Sequence, residues 1–329
     1  MKYNIVFIVI ILVITIVLGY FYNTSQEIRI NTSNKYFKTK SSGVYSPERR
    51  IIAIGDLHGD FRALQMALHK AKLINKSGNW IGGNTHVVQL GDVLDRLPRL
   101  DNSNMHQKCC DEAKIMDTLY RLQYQSRKYG GNVHCILGNH ELMNVMGDFR
   151  YTTPGTNKCF GGVMRRKQLF QPGGILAKKL AKHSHAIVKI GDWVFVHGGL
   201  LPHHLQKYNI AEINQLLKNI LLGKISLSQL NTKQHSIVLD ENGILWTRLL
   251  SGINPRCDLA MQTLKLLNIS KWGGIVVGHT PQEEGINSCC RGKVWKIDSG
   301  MSVAFGKHNA ERIQVLEILG NGKKVRVLK

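Results

Sequence analysis

The chain has 329 residues, 43% of them hydrophobic, which is enough for one large domain or two small ones around a sizeable core. Lys and Arg number 44 against 22 Asp and Glu, a net charge of +22 that suits phosphates, nucleic acid or anionic lipid, or simply a solubilising lysine-rich face. No arginine-rich block or nucleic-acid motif is present, so no specific nucleic-acid partner is expected, and the seven cysteines lack the spacing of a regular disulfide framework.

Taken in chain order, the first element is an uncharged aliphatic run of 18 residues, Ile5 to Tyr22. That is close to the roughly 20 residues that span a bilayer. Only Lys2 carries a charged side chain before it, and no small-residue cleavage site follows, so the run predicts one N-terminal transmembrane helix, a signal anchor over residues 1–22. Residues 23–46 are polar and predict a tether. Arg29, Lys35, Lys38 and Lys40 after the span favour a cytosolic domain by the positive-inside rule. The Asn-x-Ser/Thr sequons at Asn23, Asn31, Asn75 and Asn268 would be usable only in a lumenal one.

The folded part is expected over residues 47–329. Apolar runs at Ile51–Ile54, Val87–Leu90, Cys135–Leu137, Trp193–Val196, Ile275–Val277 and Trp295–Ile297 predict strands. Helical spacing predicts helices over Phe61–Ile74, Glu112–Tyr129, Ala211–Leu222 and Leu259–Leu267. Alternating strands and helices define an α/β domain. Between Met143 and Ala186 glycines and prolines break the pattern, which reads as a long insertion near the site, either a substrate-facing lid or a surface excursion. Gln314–Ile318 and Val325–Leu328 around Asn321-Gly322 predict a closing hairpin. Cys135 sits in a strand and is expected to be buried; Cys109-Cys110 and Cys289-Cys290 fit either disulfides or thiols.

Each of the six strands runs into a turn that carries a potential ligand: Gly55-Asp56-Leu57-His58-Gly59, Gly91-Asp92-Val93-Leu94-Asp95-Arg96, Gly138-Asn139-His140-Glu141, His197-Gly198-Gly199, Gly278-His279-Thr280 and Asp298-Ser299-Gly300. Ligands of α/β sheets bind outside the carboxyl ends of strands, so these turns predict one shared site. Oxygen and nitrogen donors without cysteine suit zinc, manganese or iron. Asp56 and His58 can reach one ion, Asp92 can bridge two, and Asn139, His197 and His279 can complete the second. Two such ions can clamp a phosphoryl group and supply hydroxide. Arg96 and Arg248 suit the oxygens of a phosphomonoester. His140 is placed to protonate the leaving group, with Asp95 holding its imidazole. Glu141 is expected to support its turn.

In this order, GDxHG, GDxxDR, GNHE, HGG and GHT resemble the phosphoprotein phosphatase branch of the calcineurin-like metallophosphoesterases, from Ile51 to about Gly300. The phrases from Gly138 to Val145, from Gly147 to Tyr151, from Trp193 to Pro202 and from Val277 to Gln282 resemble its Shewanella-like phosphatase subgroup. The resemblance implies a two-sheet β-sandwich flanked by helices, with a dinuclear metal centre. It implies Asp56, His58 and Asp92 on one ion, Asp92, Asn139, His197 and His279 on the other, His140 with Asp95 for proton donation, and Arg96 and Arg248 for the phosphate. It also implies that Asp298 supports the centre without being a ligand. One departure is Leu97, where the family places glycine after the DR pair.

The expected activity is hydrolysis of phosphoserine, phosphothreonine or phosphotyrosine in phosphorylated proteins at a membrane. The alternatives are a dinucleoside polyphosphate hydrolase and an inactive membrane-bound scaffold that binds phosphoproteins.

Overall fold

The computed structural model describes residues 42–96, 110–306 and 310–329. The expected anchor, nearly all of the tether, and Leu97 lie outside these residues. Among the described residues, no helix is long and apolar enough to cross a membrane. The compact unit runs from Ser42 to Lys329, so it starts slightly before Pro47. Val44–Tyr45 (β1), which the sequence assigns to the tether, pairs in parallel with Ile187–Ile190 (β6).

Two six-stranded sheets face each other. One contains Arg50–Ile54 (β2), His86–Gln89 (β3), Asn132–Ile136 (β4), Ser184–His185 (β5), Val315–Leu319 (β11) and Lys324–Leu328 (β12), in the order β12-β11-β2-β3-β4-β5. The other contains β1, β6, Trp193–Val196 (β7), Gly274–Val277 (β8), Asn287–Cys289 (β9) and Val294–Lys296 (β10), in the order β1-β6-β7-β8-β10-β9. In the first, β2, β3, β4 and β5 run parallel; in the second, β7, β8 and β10 do. Both sheets are mixed, because β11 pairs antiparallel to β2 and β6 pairs antiparallel to β7.

The continuous apolar runs follow from burial on both faces. Side chains alternate along a strand. Ile51, Ala53, Val88, Trp193, Phe195, Val276, Leu316 and Ile318 point between the sheets and form the inner core. Their neighbours Ile52, Ile54, Val87, Val194, Val196, Ile275 and Val277 point outward into the core packed by helices.

Those helices are Phe61–Lys70 (α1), Asp111–Arg127 (α2), Asn139–Met146 (α3), Pro154–Cys159 (α4), Val163–Phe170 (α5), Ile175–His183 (α6), Ile210–Leu221 (α7), Thr232–Val238 (α8) and Cys257–Leu266 (α9). Helix α1 starts at Asp60, whose side chain accepts from the Ala63 N–H. It ends before the expected Ile74, because Lys72 takes a left-handed φ of 54° and Ile74 pairs with Trp80. Helix α7 is opened by Asn209 and Glu212, which cap each other's backbone.

The segment from Met143 to Ala186 is largely helical. Its three helices are too short to display a period, being cut by Gly161-Gly162 and by Pro172-Gly173-Gly174. It is no surface excursion either: Arg166 and Phe170 are fully buried, and Leu176, Ala177 and Leu180 join the core. A disulfide from Cys110 to Cys159 joins the start of α2 to the end of α4, and a second joins Cys257 to Cys290. The cysteines adjacent in sequence are therefore not each other's partners; Cys289 is free, and Cys135 is free and buried as expected.

His134 on β4 and His185 on β5 both meet the Tyr45 side chain. The His134 Nε2 shares a hydrogen bond with His86 Nδ1 at 3.1 Å, and His185 Nε2 meets the Tyr45 hydroxyl at 3.3 Å. Burial first, then the His86 ring, holds His134 well below the usual imidazole range. Burial, then Lys218, lowers His185 to about 4, and burial, then Lys182, lowers His183 to about 4. The unfolded chain binds protons that these folded imidazoles refuse, so their stability contribution is present above pH 6.5 and is lost as pH falls toward 4. Urea midpoints are expected to fall between pH 7.5 and pH 5, and His185→Gln is expected to flatten that fall; an unchanged slope would contradict the assignment.

Candidate active site

The six ligand-bearing turns converge. Asp56 follows β2, Asp92 and Asp95 follow β3, Asn139 and His140 follow β4, His197 follows β7, His279 follows β8 and Asp298 follows β10. Their side chains are almost entirely buried. His58, Asp92, Asp95 and His279 all take left-handed backbone conformations, with φ between 37° and 68°. Non-glycine residues rarely adopt these, and such strain clusters at functional sites.

Glu141 holds the second turn in that shape. Its carboxylate accepts the backbone N–H groups of Asp92, Val93, Leu94 and Gly138, at 2.7 to 3.2 Å. Burial, then the Asp92 charge, raises Glu141 to about 7. The turns pack so closely that a Cβ on Gly138 would run into the Asp92 carboxylate, and one on Gly278 into that of Asp56.

Asp92 lies at the centre. Its Oδ2 is 3.3 Å from His197 Nε2, 3.7 Å from His58 Nε2 and 3.9 Å from His140 Nε2, and its Oδ1 accepts the His140 N–H at 3.1 Å. Burial opposes ionisation of Asp92, but the His197 and His140 imidazoles outweigh it and hold the carboxyl well below its ordinary range. Conversely, burial lowers His197, yet Asp92 and Asp56 raise it to about 10. Burial, then His197, lowers His279 to about 3, leaving its ring neutral.

Among the described residues, two donor groups are compact enough for an ion: His58 with Asp92 and His140, and Asp92 with His197 and His279. Asp92 is common to both groups, and His140 stands in the first where the sequence places Asp56. Asn139 extends the second group, with its Oδ1 3.0 Å from His197 Nε2. Asp56 falls outside both tight groups. Its Oδ2 accepts the His279 N–H at 3.0 Å, and its buried Oδ1 has no hydrogen-bond partner. Burial, then the Asp298 carboxyl, pushes Asp56 well above the usual carboxylate range. A buried acceptor without a donor, in a pocket crowded with carboxylates, fits a cation. The ring orientations fit as well: His58 Nδ1 meets the Leu94 carbonyl at 3.2 Å and His197 Nδ1 meets that of Leu90 at 2.6 Å. Such partners leave Nε2 for a metal.

His140 belongs to a second arrangement. Its Nδ1 is 2.8 Å from Asp95 Oδ2, so the structure brings these two residues together. Its ring meets that of Tyr151 edge-on at 5.0 Å, and the His58 ring meets Phe305 at 5.3 Å; neither aromatic was singled out from the sequence.

The two arginines differ. Arg96 is buried; its Nη1 donates to Asp111 Oδ2 at 2.9 Å and to the Gly59 carbonyl at 3.1 Å, while Nε has no partner among the described residues. Arg248 is exposed, and its Nη1 donates to the His279 carbonyl and to Thr280 Oγ1. Asp298 Oδ1 accepts the Gly300 N–H, and its Oδ2 is buried without a partner. The residue missed outright is Arg166, which in sequence is one cation in the run Arg165-Arg166-Lys167; only the fold shows that it is completely buried and bonded to Asp95.

The family profile of the calcineurin-like phosphoesterases matches residues 49–313. Shewanella-like protein phosphatase 2 of Arabidopsis thaliana is 31% identical, over 83% of this chain and 75% of that protein. Shewanella-like protein phosphatase 1 of Plasmodium berghei is 33% identical, over 82% of this chain and 70% of that protein. Among solved structures, a cold-active protein tyrosine phosphatase superposes with a TM-score of 0.69 at 24% identity, covering 87% of this chain and 80% of its own. The cold-active protein tyrosine phosphatase of a psychrophilic Shewanella species gives 0.65 at 25% identity, covering 87% and 82%.

The chain belongs to the calcineurin-like phosphoesterase family, and within it to the Shewanella-like protein phosphatases. It is a metal-dependent phosphatase.

Replacing Glu141 by Ala strands four buried N–H groups. We expect a loss of at least about 3 kcal/mol in chemical denaturation, since each orphaned donor costs about 1–3 kcal/mol. A loss within error of zero would show that the turn holds itself.

Proposed function

We propose that the protein removes phosphate from phosphorylated serine, threonine or tyrosine in protein substrates, and that this site performs the reaction. The observation that carries the reading is Asp92 Oδ2 lying nearest the His197 and His58 imidazoles, while the third imidazole beside it, that of His140, is held through Nδ1 by Asp95. That arrangement divides metal binding from proton donation. Asp56, His58 and Asp92 would hold one divalent ion, and Asp92, Asn139, His197 and His279 the other. Manganese, iron and zinc all suit this donor set. When bound, the two ions supply Lewis acidity to the phosphoryl group and lower the pKa of the attacking water.

The protein's own residues do the rest. Arg96 and Arg248 neutralise the phosphate oxygens; the unpartnered Nε of buried Arg96 supports a role for it in holding an anion. His140 donates a proton from Nε2 to the departing serine, threonine or tyrosine oxygen. Asp95 accepts the Nδ1–H and stabilises the imidazolium, the form in which Nε2 carries a proton toward the site. Tyr151, edge-on to His140, limits how far the ring can turn. The run from Ile5 to Tyr22 supports membrane-attached substrates for this activity.

The purified chain, stripped of metal and reloaded with manganese, is expected to release phosphate from phosphothreonine or phosphotyrosine peptides. Asp92→Asn and His140→Asn are each expected to lower kcat by about 100-fold or more, as for a lost metal bridge or general acid. Asp92→Asn should also lower bound metal by elemental analysis, whereas His140→Asn should keep it. No release from either peptide by folded, metal-loaded protein would sink the reading and direct attention to dinucleoside polyphosphates.

A further inference from the structure

Asp95 is fixed at both ends. Its Oδ2 meets His140 Nδ1 at 2.8 Å, while its Oδ1 accepts from Asn144 Nδ2 at 2.9 Å and from Arg166 Nη2 at 3.2 Å. Arg166 comes from α5, far along the chain from the ligand turns. Its other nitrogens are spent on the same assembly. Nη1 donates to Glu112 Oε2 at 2.8 Å and Nε donates to Asn144 Oδ1 at 2.7 Å. Glu112 Oε1 in turn accepts the Asp95 N–H at 2.9 Å. The guanidinium thus touches Asp95 and two of the groups bonded to it, Asn144 and Glu112.

The surroundings make this cation hard to replace. Arg166 and Asp95 side chains are fully buried, and Glu112 nearly so. The Phe160, Phe170 and Phe149 rings lie 4.8, 5.4 and 5.9 Å from the guanidinium carbon and exclude water. Two buried carboxylates near one another repel, and Asp95 acts on Glu112 in that sense. A single guanidinium satisfies both because its fork reaches three acceptors in one plane; a lysine ammonium could not match that geometry.

From this we infer that Arg166 is the positioning residue of the proton-donating pair: it fixes the Asp95 carboxylate, and through it aims His140 at the leaving oxygen. The inference rests on the proposal that His140 is the general acid. Arg166 hydrogen-bonds to Asp95, Asn144 and Glu112 and to none of Asp56, His58, Asp92, Asn139, His197 and His279, so its effect is expected to fall on the departure of the leaving group.

Leaving-group dependence separates this role from a merely structural one. Phenyl phosphate leaves as a basic phenoxide and needs a proton, whereas 2,4-dinitrophenyl phosphate leaves readily without one. In the manganese-loaded full chain, Arg166→Met is expected to lower kcat on phenyl phosphate by about 100-fold, within the usual range for general-acid catalysis. Its KM and its kcat on the dinitrophenyl ester should stay within about threefold. Arg166→Lys should recover part of the loss, and Arg166→Met with His140→Asn should be no slower than His140→Asn alone, because residues in one relay are not additive. Should Arg166→Met fail to fold, Asn144→Leu removes another ligand of the same Asp95 oxygen and should show the same selectivity. Equal loss on both esters, or no loss on either, would overturn the inference while His140→Asn still discriminates between them. If His140→Asn itself does not discriminate, the general-acid reading falls first and takes the role of Arg166 with it.

Discussion

The turn from Gly91 to Asp95 leaves the end of a buried strand with several N–H groups that no neighbouring strand can satisfy. Glu141, one turn into the helix that follows the next strand, accepts three of them and adds the N–H of Gly138. One buried carboxylate thus joins the ends of β3 and β4 and keeps Asp92 and Asp95 in left-handed conformations that neither would choose alone. From that fixed turn Asp92 reaches the imidazoles of His58, His140 and His197, and Asp95 reaches His140 from the other side. The metal-type cluster and the His140–Asp95 pair are therefore built on the same few residues of backbone.

The arrangement is electrostatically costly in the bare protein. Asp56, Asp92 and Asp298 are buried within reach of one another, and two of their oxygens lack any donor. Folded proteins seldom tolerate this without function, because buried charge must find a partner. Bound cations are such partners, and they stabilise the fold by an amount that rises with the logarithm of their concentration relative to Kd. The two sheets supply the rigidity that keeps the ligands apart until then, since every ligand leaves a strand whose side chains are packed on both faces.

Much of this was readable in the sequence, for a local reason. Each ligand sits within a few residues of the apolar run that positions it, so Asp56, Asp92, Asn139, His197 and His279 are marked by their own neighbourhoods. The hairpin of β11 and β12 and the four main helices were legible by the same short-range periodicity. What was not legible depends on distance along the chain. Arg166 carries no local signal; its partners Asp95, Glu112 and Asn144 come from three other elements. The pairing of Cys110 with Cys159 depends on how α2 and α4 approach, which the adjacency of Cys109 and Cys110 could not reveal. The helices between Pro154 and His183 are too short to show a period. The premature end of α1 was missed because the apolar residues continue past Lys72 while the backbone has already reversed.

The pairing of β11 with β2 has a consequence for biosynthesis. Ile318 lies opposite Ile51, and Leu316 opposite Ala53. The strand that carries Asp56 therefore emerges from the ribosome among the first elements of the domain, while its antiparallel neighbour emerges almost last. His279 and Asp298 are late as well. The first sheet must wait with one side of β2 uncovered through most of translation, an exposed edge of the kind that chaperones shield. The candidate pocket is accordingly completed late: a nascent chain can display Asp56, His58 and Asp92 long before His279 and Asp298 have been made, and β11 follows later still.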